Sequence, residues 1–108
     1  MLPKKQRLTT EEFKEVFSTG RKYHTPFFTY IVLKKEDKKT SVVVSKKNIK
    51  TAVGRNKKRR MIYRILQSLQ SISPSFWNIM IIKKEALEKD TNEIQKDIEG
   101  FYKKYSTE

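Results

Sequence analysis

The 108-residue chain contains no cysteine, one histidine, three glycines and three prolines. Without cysteine there is no disulfide framework, no thiolate zinc site and no thiol nucleophile. The single histidine, His24, stands two residues before Pro26, away from any tight set of carboxylates. In that setting it reads as a surface residue rather than as a base or ligand. Gly20, Gly54 and Gly100 are too scattered for a glycine-rich phosphate loop. Ser45, Ser68, Ser71, Ser73 and Ser75 sit in no nucleophile-elbow motif. No apolar run has the length of a membrane span or of a signal-peptide core, which favours a cytoplasmic setting. The residues therefore propose no catalytic group and no metal ligand.

The most informative absence is that of negative charge. No Asp or Glu occurs from Lys38 through Lys84, although the chain has 12 in all. Within that window, Ser45 to Arg64 (SKKNIKTAVGRNKKRRMIYR) carries Lys46, Lys47, Lys50, Arg55, Lys57, Lys58, Arg59, Arg60 and Arg64. A solvated helix face normally interleaves both signs, because like charges three or four residues apart repel. A one-sign block calls for counter-charge from outside, and phosphate is the first candidate. The formal net charge of +13 and a pI near 10.0 agree with a polyanion partner.

A 36% hydrophobic content over this length supports one small domain, residues 1–108, with one modest core. Thr9 and Glu12 form a Thr-x-x-Glu capping box that opens a helix over Thr10 to Ser18, with Phe13, Val16 and Phe17 on one face. Gly20 is placed to end it in the left-handed conformation. Arg21 to Thr25 is a short strand, and Phe27 to Lys34 a longer one, rich in aromatic and β-branched residues. After the polar turn at Glu36 to Lys39, Thr40 to Lys46 returns as a further strand, most economically as a hairpin. Thr51 caps a basic helix in which Met61, Ile62, Ile65, Leu66 and Leu69 share one face. Phe76 to Lys83 is a nearly continuous apolar run and reads as a central strand. Asp90 and Glu93 form a second capping box before a last helix carrying Ile94, Ile98, Phe101, Tyr102 and Tyr105. The order α-β-β-β-α-β-α predicts an α+β two-layer sandwich.

Arg55, Arg59 and Tyr63 follow at i, i+4 and i+8 and form a stripe along one edge of the basic helix's apolar face. Lys57, Arg60, Arg64 and Gln67 lie opposite. Asn56 adds a donor–acceptor group beside Arg55, suited to a phosphate or ribose. Phe13, Phe17, Phe28 and Tyr30 are expected on elements that share a surface with the stripe, although core packing is the alternative for Phe13 and Phe17 and claims Phe17 equally well. Aromatic rings beside a basic groove suit single-stranded RNA better than duplex DNA.

Taken together, these motifs resemble the protein subunit of bacterial ribonuclease P. The resemblance runs from Leu2-Pro3-Lys4-Lys5-x-Arg7-Leu8 through Glu12-Phe13-x-x-Val16-Phe17-x-x-Gly20 to His24-x-Pro26. It continues in Val44-Ser45-Lys46-Lys47 and Ala52-x-x-Arg55-Asn56-x-x-Arg59-Arg60, and ends at Asn78-Ile79-Met80-Ile81-Ile82. It implies a four-stranded sheet with a left-handed β-α-β crossover through the basic helix, against the usual right-handed rule. It also implies an accessory subunit of a ribonucleoprotein that removes the 5′ leader of precursor tRNA. Catalysis would be carried by the RNA, with Mg²⁺ bound mainly by RNA and substrate and no dedicated protein site. By the same resemblance Lys46, Lys47, Arg55, Asn56, Arg59 and Arg60 would contact the RNA subunit. Phe13, Phe17, Arg55, Arg59 and Tyr63 would line the leader cleft, and the protein would be a monomer within the holoenzyme. The chain departs from the family pattern at Tyr63, where arginine is common, at Ile31, where a tyrosine is usual, and at Lys58, where an apolar residue is usual. A ribosomal or RNA-chaperone protein would share the charge and aromatics but not the Arg-Asn spacing. A self-contained nuclease would need acids and bases that this chain does not gather.

Overall fold

The computed structural model describes residues 6–106. Its elements are α1 (Thr10–Thr19), β1 (Arg21–His24), β2 (Phe28–Lys34), β3 (Lys39–Val43), α2 (Ala52–Ser68), β4 (Phe76–Ile82) and α3 (Thr91–Ser106), with a short 3₁₀ turn at Lys84–Ala86. The four strands lie in the order β1-β2-β4-β3. β1 and β2 are antiparallel, as are β2 and β4, while β3 and β4 are parallel. The expected hairpin between β2 and β3 is therefore not formed. β4 takes the place between them because it is apolar on both faces, and the parallel β3–β4 pair requires the crossover that α2 supplies.

Alternation along the strands divides the core in two. Phe28, Tyr30 and Val32 of β2, with Phe76, Met80 and Ile82 of β4, pack under Ile62, Ile65 and Leu66 of α2 and Ile94, Ile98, Phe101 and Tyr102 of α3. The opposite face presents Ile31 and Ile79, and these meet Val16 of α1, with Phe13, Leu33 and Trp77 around them. Sheet, α2 and α3 make the sandwich, and α1 covers the second face. This division corrects the expectation for Phe28 and Tyr30, which are fully buried under α3. Tyr30 stacks on Phe101 at 3.8 Å between ring centres, and its hydroxyl donates to Asp97 at 3.4 Å. Neither ring is open to a base.

α1 begins with the predicted capping box: Thr9 Oγ1 accepts from the Glu12 N–H, and Glu12 Oε1 accepts from the Thr9 N–H. The other Glu12 oxygen pairs with Lys39 Nζ at 2.6 Å, tying α1 to the start of β3. Lys35 and Glu15 make a second tie at 3.0 Å. Both ammonium groups also lie over the Trp77 ring, whose N–H donates to Asp37. Gly20 ends the helix differently from expectation, with φ −71° and ψ 156°, in extended backbone. Glycine is required there by close approach. A Cβ would lie 2.5 Å from the Val16 carbonyl oxygen and 2.8 Å from Ile31 Cγ2. Gly100, in the middle of α3, is the opposite case: a Cβ there would meet nothing within 4 Å.

Two measurements check this packing. In urea denaturation, Gly20→Ala should cost about 1–3 kcal/mol, as overpacking does, whereas Gly100→Ala should add about 0.5–1 kcal/mol. The second concerns acid. The hydrogen-bonded Lys39 ammonium, then the Thr9 N–H, hold the Glu12 carboxyl below its ordinary range. A depressed native pKa stabilises fully above the unfolded value, and that contribution is lost as pH falls through the native one. Glu12→Gln should therefore flatten the acid limb of the stability–pH curve; an unchanged limb would show that the Lys39 pair contributes nothing.

Candidate RNA interface

The loop from Ser45 to Lys50 and the first turns of α2 are built as one unit. The Ser45 carbonyl accepts from the N–H groups of Asn48 and Ile49, closing the loop into a turn that leaves Lys46 and Lys47 exposed. Thr51 caps α2 as expected, its Oγ1 accepting from the Gly54 N–H at 3.1 Å. A Cβ on Gly54 would lie 2.8 Å from both Thr51 Oγ1 and Ile49 Cγ2, so glycine lets the loop seat against the helix. Arg55 completes the clasp by donating from one guanidinium nitrogen to the carbonyls of Ile49 and Lys50, each at 3.0 Å. Arg55 thus has a structural task that its spacing alone did not reveal.

Further along α2, the apolar face is buried at Ile62, Ile65, Leu66 and Leu69. Asn56, Lys57, Arg60 and Arg64 are exposed, and Arg55 and Arg59 are half-buried on the edge between, as the stripe predicts. The Arg59 guanidinium donates to Asn56 Oδ1, which orients both. Lys58, at an inward position, spans the core edge to donate to the Leu87 carbonyl at 3.3 Å, and burial lowers its pKa. Its ammonium is thereby directed to α2's inner flank, away from the exposed cations.

Tyr63 continues the stripe inward. It is only 8% exposed, and its hydroxyl accepts from the buried Val42 N–H at 3.3 Å. With Arg59 it forms part of a groove of about 530 Å³ along β3, whose other walls include Thr40 to Val42, Arg7 and Thr9. Arg7 forms a parallel bridge to Thr40 at the sheet edge, and its Nε is buried without a hydrogen-bond partner. Sequence placed Arg7 only in a basic lead-in; its place in the same groove as Arg59 depends on that edge pairing. Phe13 and Phe17 lie on α1, one and two turns beyond Thr9, with rings stacked at 6.2 Å and 14°. Phe13 is half-buried against the second core, while Phe17 is 53% exposed. The groove unites Arg59 and Tyr63, and α1 carries the two phenylalanines outward from its Thr9 rim. His24 is exposed on β1, its ring nitrogen 3.3 Å from Thr29 Oγ1.

A model of the family described as Ribonuclease P matches residues 2–106. The chain belongs to the ribonuclease P protein family. The ribonuclease P protein component of Aliivibrio fischeri is 32% identical over 103 residues, covering 92% of this chain and 86% of that one. The Coxiella burnetii component is 25% identical over 96 residues, covering 87% and 79%. Among solved structures, the RNase P protein from Thermotoga maritima superposes with a TM-score of 0.81 at 21% identity, over 91% of this chain and 96% of that one. The Staphylococcus aureus RNase P protein gives 0.77 at 23% identity, over 88% and 90%. Membership of the ribonuclease P family makes this chain a protein component of a ribonucleoprotein of tRNA processing. The described residues include no helix long and apolar enough to cross a membrane.

Position 63 gives the sharpest local test. Tyr63→Phe keeps the ring but leaves the buried Val42 N–H without an acceptor, which costs about 1–3 kcal/mol. Urea unfolding should show that loss; equal stability would mean the hydroxyl is not the partner of Val42.

Proposed function

We propose that this chain grips two RNAs: the catalytic RNA subunit of ribonuclease P and the 5′ leader of precursor tRNA. Lys46 and Lys47, exposed on the loop, and Asn56 and Arg60, exposed on the first turns of α2, face the RNA subunit, with Arg55 holding the loop in place and Arg59 at the margin. The leader enters the groove between Arg7 and Arg59 and passes over the α1 rim toward Phe17. The carrying observation is that groove: two arginines from separate parts of the chain, Arg7 and Arg59, line it together beside the edge strand β3. Guanidinium groups so placed offer charge-assisted, bidentate hydrogen bonds to phosphate oxygens. Tyr63 forms part of the lining and fixes β3, and Phe17 offers the open ring for stacking.

The described residues contain no group of three or more His, Cys, Asp or Glu able to hold a metal ion, and Glu12 and Glu15 are engaged by Lys39 and Lys35. This donor set does not fit a dedicated Mg²⁺ site. On this reading Mg²⁺ belongs to the RNA subunit and the substrate, and the protein supplies position and charge. Salt screens charges over about 10 Å at 0.1 M, so only groups at the interface help two RNA backbones approach. The protein would act as a monomer in the cytoplasm.

Single-turnover cleavage of a 5′-labelled precursor tests this with protein alone, RNA alone and both. The protein alone should not cut at any Mg²⁺ concentration. With a bacterial ribonuclease P RNA it should lower the Mg²⁺ requirement and favour precursor over mature tRNA. Arg59→Ala should reduce the slope of log affinity against log salt by roughly 0.7–0.9. Cleavage by RNA-free protein, abolished in His24→Ala, would overturn the proposal.

A further inference from the structure

A second groove, of about 620 Å³, lies between β1 and α3, at the sheet edge opposite β3. Three strand spacings of about 4.8 Å put it roughly 14 Å across the sheet from the Arg7–Arg59 groove. Lys96 and Lys104 of α3 line it one turn to either side of Gly100, Lys22 and His24 stand on the β1 edge, and Tyr105 gives it an aromatic wall. The one carboxylate among the described lining residues, Asp97, is engaged by the hydroxyls of Thr25 at 2.6 Å and Tyr30 at 3.4 Å. Tyr105 meets Tyr23 edge-on at 5.8 Å, and Tyr23 carries the Arg21 guanidinium at 5.5 Å. Positive charge thus continues past the tyrosine pair, where Arg21 and Lys34 line an adjoining groove.

Gly100 supplies an independent observation. It lines this groove from the middle of α3, and no packing among the described residues calls for a glycine there. Glycine in a helix interior lowers stability relative to alanine, and one of its uses is to let a ligand approach the backbone closely. What the missing side chain opens is the groove.

We infer that the β1–α3 groove is a second binding site for single-stranded RNA, with phosphates held by Lys96 and Lys104 and a base lying over Gly100 against Tyr105. The inference rests on the RNA-binding reading above and adds a separate contact on the other side of the sheet. Charge selects a polyanion, and an aromatic wall in an open basic groove suits an unpaired strand rather than a duplex.

The probe is a labelled oligouridylate of about ten nucleotides, within the site sizes of single-strand grooves, carrying a photoreactive 4-thiouridine. It is added to the protein already bound to a bacterial ribonuclease P RNA. Cross-links are expected in a peptide containing Tyr105 or Tyr23. Gly100→Glu, and separately Lys96→Ala with Lys104→Ala, should lower their yield about tenfold, the loss of one stacked base or its phosphate contacts. Gly100→Ala should lower it by about threefold while the protein becomes more stable, a pairing of signs that a structural role would not produce. Every variant should keep the parent's affinity for the RNA subunit. If the parent itself does not bind that RNA, the underlying reading fails. If it binds and cross-links occur only in α1 and α2, or persist undiminished in folded Gly100→Glu and double-lysine proteins, the second site is refuted. Capture of an acidic peptide in place of the oligonucleotide would refute it equally.

Discussion

The burial of β4 on both faces is the constraint on which the rest depends. Ile79 and Met80 are adjacent in sequence and both fully buried, one under α1 and the other under α2 and α3. A strand of that kind must be central. Its place between antiparallel β2 and parallel β3 obliges the chain to travel from one end of the sheet to the other before β4 begins. α2 is that connection, and it carries the basic block. Burying Ile62, Ile65 and Leu66 contributes about 1.5–3 kcal/mol each, whereas like charges a turn apart cost only a few tenths. Burial wins, and the helix holds a row of cations that would not persist as an isolated helix.

Those cations are little compensated from within. The ion pairs described are Lys35–Glu15, Lys39–Glu12 and Lys89–Glu93, all outside the 45–64 block. The block's own hydrogen bonds serve to shape it: Arg55 clasps the loop, Asn56 orients Arg59, and Lys58 reaches the Leu87 carbonyl. Lys46, Lys47, Lys57, Arg60 and Arg64 are left on the solvent side of a rigid support. A pre-ordered array spends less entropy on binding a polyanion than flexible side chains on a loose segment would.

Local features were legible wherever short-range chemistry decides them. Thr9 and Thr51 cap their helices because their hydroxyls reach N–H groups three residues on, and the α2 face followed from helical period. β4's central place followed from its nearly continuous apolar run. Pairing was less legible: a short link between β2 and β3 suggested a hairpin, but linker length cannot report that a later strand will enter between them. The same non-local fact hid the partition of aromatics, because Tyr30 and Ile31 face different layers only once α1 and α3 are assigned to opposite sides. Gly20 was recognised as a helix terminator but for the wrong reason, since crowding by Ile31 is a tertiary contact. Arg7 became a groove residue only through its bridge to Thr40. Tyr63 was expected at the edge of α2's apolar face, in line with Arg55 and Arg59, and its burial and bond to Val42 show that the stripe bends into the core after Arg59.

The most direct measurement is lysine acetylation footprinting of the protein, free and in complex with a bacterial ribonuclease P RNA, read by mass spectrometry. Lys46, Lys47 and Lys57 are exposed in the free protein on the face assigned to that RNA, and Lys89 and Lys103 are exposed on and before α3. Strong protection of the first three with little change at Lys89 and Lys103 is the expected result. Unchanged reactivity at Lys46, Lys47 and Lys57 in a complex shown to be fully formed would contradict it.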